Sequence, residues 1–154
     1  MATRSDAHSD KSLARRWARF LLRLGAGGWV GMMIWFSFAV APTLFATVSA
    51  DQLGSVLARL FPQYYGYGAL FGAAAWIGAL WRYGQERGRA RGAVLALLTA
   101  ALLALAQAYR LLRAMSHFAP ASAGFSAMHR QSLGLNAIEM LAVFIALVLE
   151  AGLD

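Results

Sequence analysis

Residues 131–152 read QSLGLNAIEMLAVFIALVLEAG, a run from Gln131 to Gly152 that is apolar for most of its length. About 20 helical residues cross a hydrocarbon layer of roughly 30 Å. Three more such runs occur, at Phe20–Ala41, Gln63–Tyr83 and Gly92–Arg113. The predicted fold class is therefore all-α: an integral membrane four-helix bundle with hardly any soluble part. Composition agrees. Hydrophobic residues make up 60% of the 154-residue chain and charged residues 14%, and a small fold in water could not cover so much apolar surface.

The net charge of +7 is placed as a topology signal and not as a nucleic-acid surface. Arg4, Lys11, Arg15, Arg16, Arg19 and Arg23 precede or open the first run, and Arg82, Arg87, Arg89 and Arg91 surround the second loop. The first loop carries only Arg59 against Asp51, whereas Arg110, Arg113 and Arg130 sit at the margins of the third. The two basic clusters predict both termini, and residues 84–91, on the cytoplasmic side of an inner (plasma) membrane. Residues 1–19 are expected as a basic cytoplasmic tail, disordered over about the first 12, and residues 20–152 as the membrane domain. The first run is too long and too rich in Trp for a cleaved leader, so it is expected to be retained. With no cysteine, disulfides, thiolate metal sites and cysteine nucleophiles are excluded.

Between the first two runs, Ser49-Ala50-Asp51 resembles a helix start, and Leu53, Val56, Leu57 and Leu60 recur at helical spacing before Pro62. This predicts a short amphipathic interfacial helix, which as a plain loop helix would carry no function. Gly27 with Gly31 and Gly68 with Gly72 have the spacing that lets helices approach closely in lipid. Tight packing within one chain is the plainer consequence, and homo-oligomerisation through these faces the other. Trp17, Trp29, Trp35, Trp76, Trp81 and the Tyr64, Tyr65, Tyr67 group are read mainly as interfacial anchors, the tyrosines also as lining for a ligand.

The chemistry concentrates in the fourth run. His129, Ser132, Asn136 and Glu139 are three, four and three residues apart, one stripe of a helix. Glu139 lies about 12 Å inside its span at 1.5 Å per residue. An ionised carboxylate there costs about 3 kcal/mol or more, so it should face other helices. Gln107 at matching depth, with Arg110 one turn further out, is the expected partner. Tyr109, Arg113, Tyr64, Tyr67, Gln63, Ser37 and Thr43 complete a predicted outer-half polar pocket, whose plainer counterpart is a hydrogen-bond network that only fixes packing. His117 and His129 with Met115 and Met128 form a weaker copper(I)-type set, and haem between the helices is weaker still, so no cofactor is assigned. No phosphate loop, nucleophile motif or carboxylate pair is present, so no enzyme is expected; a lipid or quinone enzyme ranks last.

The order Phe36 to Pro42, Thr43-Leu44-Phe45, Leu60-Phe61-Pro62 and then Phe125, Met128-His129, Ser132 and Asn136 resembles the DUF4149-like four-helix membrane family of bacterial proteins related to eukaryotic transmembrane protein 205. The likeness covers about residues 20 to 150. A more distant one is to copper-resistance D membrane domains. The resemblance implies a shared role for Pro42, Phe45, Phe61, Pro62, His129, Ser132 and Asn136 but no settled activity; the eukaryotic branch is associated with resistance to platinum drugs. Taken together, the expectation is an inner-membrane protein that binds or passes a small solute or ion. The alternatives are a copper or redox accessory subunit and a purely structural membrane protein.

Overall fold

A computed structural model describes residues 4–118 and 122–153. The described residues are all-helical: α1 Arg4–Trp35, a π-helical segment Phe36–Val40, α2 Ala41–Thr47, α3 Ala50–Gln85, α4 Arg89–Met115 and α5 Ala123–Ala151. Four of these are long. Helix α1 pairs closely with α3, α3 with α4, α4 with α5, and α5 returns to α1.

Three helical stretches are long and apolar enough to cross a membrane: Ser12–Thr47, Arg89–Met115 and Ala123–Ala151. Most of their apolar side chains point away from the protein; Phe38, Leu103, Leu141, Phe144 and Val148 are all largely exposed. In water that would be an aggregation surface, whereas against acyl chains it is the solvated face. Helix α3 spans 36 residues, about 54 Å, and so is more than long enough to cross. Its many Gly, Ala and Tyr residues leave it outside the strongly apolar group.

Three boundaries differ from expectation. The first twelve residues were expected to be disordered, but helix begins at Arg4. Once a span is formed, adding turns to it carries none of the nucleation cost that an isolated segment would face. Pro42 does not end the first helix. The rod passes through the π segment, where the Ala41 N–H donates to the Phe36 carbonyl, and Pro42 falls in the opening turn of α2, where its missing N–H is tolerated. Nor is there a separate interfacial helix before Pro62. Residues 50–85 form one helix with Pro62 inside, kept in line by the rings of Phe36, Phe61, Tyr64 and Tyr65, which contact one another across the α1–α3 junction.

The core is built from small residues around a few large ones. Trp29, Leu22, Met33, Leu98, Val94 and Val143 are fully enclosed, among Ala26, Ala75, Ala101 and Ala146. The closest backbone approach is between α1 and α3. A β-carbon on Gly25 would stand 2.4 Å from the Ala75 nitrogen, and one on Gly78 would stand 2.6 Å from the Ala18 oxygen. Gly68 and Gly72 are also buried, against Trp29 and leucines of α4, but Gly27 and Gly31 meet nothing and are open to the outside.

Candidate functional site

Helix α5 carries the predicted stripe inward at Glu139, whose side chain is 1% exposed. Its carboxylate is met from α1: Trp29 Nε1 donates to Glu139 Oε1 at 2.8 Å. Glu139 Oε2 is buried and has no hydrogen-bond partner among the described residues. One turn along, Tyr64 of α3 donates its hydroxyl to Asn136 Oδ1 at 2.8 Å. Tyr65 lies beside Ser132. The Tyr65 ring also stands edge-on to Tyr64, and to Tyr109 of α4 at 5.6 Å between centroids. Glu139 and Asn136 are thus joined to α1 and α3 by an indole and a tyrosine, with Ser132 beside Tyr65, a polar seam among apolar neighbours.

The remaining predicted members lie elsewhere. Gln107 and Arg110 are exposed on the outer face of α4. The buried face of that helix runs through Val94, Leu98, Ala101, Leu105 and Ala108. At about 100° per residue, Gln107 is rotated off that face although its depth is right. The partner of Glu139 is therefore Trp29 and not Gln107. Tyr67 is exposed, one step away from the buried Tyr64–Gly68 stripe. His129 is exposed and stacks on Phe125, 6.1 Å between centroids. Arg113, Thr43 and Gln63 are exposed and Ser37 half-buried. Trp29, expected as an interfacial anchor, is instead core; its place on the Leu22, Ala26, Trp29, Met33 stripe is the signal that distinguishes it. Trp17, Trp35 and Trp81 are the exposed ones.

For metal, His117 and His129 are both exposed, Met128 is half-buried and Met115 is buried. Among the described residues no group of three or more His, Asp, Glu or Cys gathers as a metal site.

A second polar layer, unforeseen, lies about 16 Å along α5 at 1.5 Å per residue. Arg82 Nη1 of α3 stands 2.9 Å from Glu150 Oε1, with both side chains buried. Beyond them Glu86 pairs with Arg91 of α4 and, at 3.3 Å, with Arg15 of α1. The Arg91 hydrogen bond first, then the Arg91 charge, holds the Glu86 carboxyl below the usual glutamate range. Arg15, Arg82, Glu86 and Arg91 line a cleft of about 240 Å³, together with Arg19, Gln85 and Leu153. The signal for the buried pair was Glu150 itself, an acid within an apolar run with Arg82 near the same end of a neighbouring span.

A 41-residue stretch is 44% identical to an uncharacterized protein of Aquifex aeolicus (strain VF5), covering 27% of this chain and 31% of that one. The chain thus spans under a third of that relative's length. No solved structure matches. Residues 24–123 match the family described as a domain of unknown function (DUF4149), about two thirds of the chain, reaching from α1 to the first residue of α5, and the chain belongs to that family.

Proposed function

We propose that the chain is a non-enzymatic, multi-pass inner-membrane protein, a four-helix bundle with both termini cytoplasmic, and that the Glu139 seam binds or passes a proton or small cation. The observation that carries this is the Glu139 carboxylate: enclosed at mid-span, given one donor by Trp29, with its second oxygen unmatched among the described residues. A carboxylate costs about 3 kcal/mol or more in such a place, and Trp29 offsets only part of that. A bound proton or a small cation supplies the rest.

The fourth crossing is assigned to α3, because it packs between α1 and α4, both of which are long and apolar enough to span. The orientation rests on Arg15, Arg16, Arg19, Arg82, Arg87, Arg89 and Arg91, which precede α4 or lie at its start. Wider kinship with transmembrane protein 205 and with copper-resistance D domains belongs to the same proposal. Its support is Pro42, Phe45 and the Phe61-Pro62 pair; of these, Phe61 contacts Phe36.

The test is proteoliposome flux of protons and monovalent cations, comparing wild type with Glu139→Gln at equal incorporation. Flux carried by wild type and lost in the variant is expected. A second reading, that the seam only holds α1, α3 and α5 together, is favoured by the direct Trp29–Glu139 and Tyr64–Asn136 bonds. No flux in either protein, with a lowered melting temperature in Glu139→Gln, would establish that reading instead.

A further inference from the structure

Glu139 is walled by groups that suit one kind of ion. Trp29 of α1 turns an N–H, the positive end of a dipole, toward Oε1 at 2.8 Å. A β-carbon on Gly68 of α3 would stand 3.5 Å from that indole nitrogen and 3.2 Å from the Leu105 side chain of α4, so the wall there is apolar. Val143, one turn along α5, is fully enclosed. The titratable groups whose charges bear on Glu139 are Tyr64 and Tyr65, both of α3. Trp29, Leu105, Asn136 and Val143, from α1, α4 and α5, carry no charge, and Arg110 of α4 is turned to the outer face.

A metal cation gives up its water only for a shell of oxygens, about six or more for calcium or magnesium and a set of carbonyls for potassium. Here Glu139 brings two oxygens, one of them already facing the indole, and the amide oxygen one turn away, Asn136 Oδ1, accepts from Tyr64. A proton needs a single lone pair. Oε2, buried and unmatched among the described residues, supplies one.

Tyr64 gives a second, separate sign. A charged carboxylate draws an O–H within reach, since hydrogen bonds to ions are about twice as strong as neutral ones. Asn136 and Glu139 are three residues apart on α5, which sets their β-carbons about 5–6 Å apart. Yet Tyr64 donates to the neutral amide of Asn136 at 2.8 Å while Oε2 stays unmatched. That arrangement fits a neutral Glu139, because an unmatched neutral O–H costs far less to bury than an unmatched charge.

We propose, resting on the seam as an ion site, that the ion it holds is a proton on Glu139 Oε2, and that the Tyr64 hydroxyl turns from Asn136 to Glu139 when that proton leaves. On release the Oε2–H bond breaks, its electron pair stays on the carboxylate, and the proton passes to a water molecule at the Ser132 end of the seam. Tyr64 then gives the new charge a donor without breaking its own O–H bond.

The full chain in detergent is titrated by infrared difference spectroscopy from about pH 4 to about pH 10, the range over which carboxyl and phenol groups ionise. Choline, sodium and potassium chloride are compared at equal ionic strength. The protonated-carboxyl band that is missing from Glu139→Gln, or displaced in Glu139→Asp, belongs to Glu139. It should fade as pH rises, with one midpoint in all three salts. In Tyr64→Phe, Glu139 should hold its proton about tenfold more tightly, because the charged form has lost a hydrogen bond. An unmoved midpoint in that variant would overturn the Tyr64 switch. A hold on the proton about tenfold weaker in sodium or potassium would show a metal cation competing for the carboxylate, which keeps the ion site and overturns the proton. A Glu139 band absent at every pH, or unchanged at every pH, would overturn the proposal too. The salt comparison uses the wild type, so it decides the ion even where Tyr64→Phe fails to fold. A titrating band beside a wild type that carries no flux in proteoliposomes would end the transport reading and leave the proton site standing.

Discussion

Trp29 and Glu139, 110 residues apart in the chain, meet through a single 2.8 Å hydrogen bond in the core, the indole N–H donating to a carboxylate that nearly no solvent reaches. The bond fastens α1 to α5, two helices that make fewer contacts with each other than either makes with its main partner. Replacing Trp29 by Phe keeps most of the ring volume and removes the donor. The expected cost is about 1–3 kcal/mol, the penalty for a buried polar group left unmatched, read as a lower unfolding midpoint in detergent. Glu139→Gln retains an oxygen acceptor for the indole and should cost less than Trp29→Phe. The reverse order would mean that the carboxylate charge, not the indole bond, holds the pair.

Arg82 and Glu150 make the opposite case, a charged pair enclosed on both sides. Removing Arg82 strands the buried Glu150 carboxylate, and removing Glu150 takes from Arg82 its buried counter-charge, so Arg82→Met should destabilise by about 3–5 kcal/mol and Glu150→Leu should destabilise as well. The double variant should recover most of that loss, since a buried ion pair replaced by apolar groups of similar size is often close to neutral. Thermal melts of the three variants check this. Additive losses in the double variant would show that the two residues act separately.

The polar seam was legible where periodicity carries the information and obscure where direction does. Ser132, Asn136 and Glu139 follow a three- and four-residue spacing, and such spacing fixes one helix face whatever packs against it. The face of a neighbouring helix needs its rotation as well as its depth, and matching Gln107 to Glu139 by depth alone chose a residue about 100° from the buried stripe of α4. Trp29 was misread because indoles collect at interfaces on average, although its own stripe with Leu22, Ala26 and Met33 points inward. By local sequence Pro42 and Pro62 both read as helix boundaries. In fact a π turn absorbs one, and aromatic contacts from α1 and α3 carry the helix past the other. Neither of those effects is local in sequence.

Of the glycine pairs singled out by spacing, Gly68 and Gly72 pack against Trp29 of α1 while Gly27 and Gly31 meet nothing, and the backbone-to-backbone approach of α1 and α3 falls instead at Gly25 and Gly78. Gly78 has backbone of α1 within 3 Å of where a β-carbon would stand, and backbone cannot yield as a side chain can. Gly78→Val should therefore force the helices apart and cost about 1–3 kcal/mol or more, as overpacking does. Gly27→Val, at a site with nothing within 4 Å, should leave the unfolding midpoint of the single chain unchanged. If Gly27→Val instead lowers the apparent mass in detergent, Gly27 belongs to a contact between copies.

Glu86 differs from Glu139 and Glu150 in standing outside the spans, bound to Arg91 and Arg15. Its carboxyl is held below the usual range, chiefly by the Arg91 hydrogen bond. In the unfolded chain it titrates near about 4.3. A group whose value falls on folding adds stability that is fully present above the unfolded value and is lost as pH drops through the folded one. The wild type should thus exceed Glu86→Gln in melting temperature by a constant margin from pH 7 down to about 5. Below about 4 the margin should close, as the carboxylate takes up a proton and lets both arginines go. The Arg91 donation to the Glu86 backbone carbonyl, at 3.2 Å, involves no titrating group and survives in both proteins, so the loop between α3 and α4 should stay closed while the side-chain contribution vanishes. A margin that persists at pH 3 would mean that Glu86 contributes through packing and not through charge.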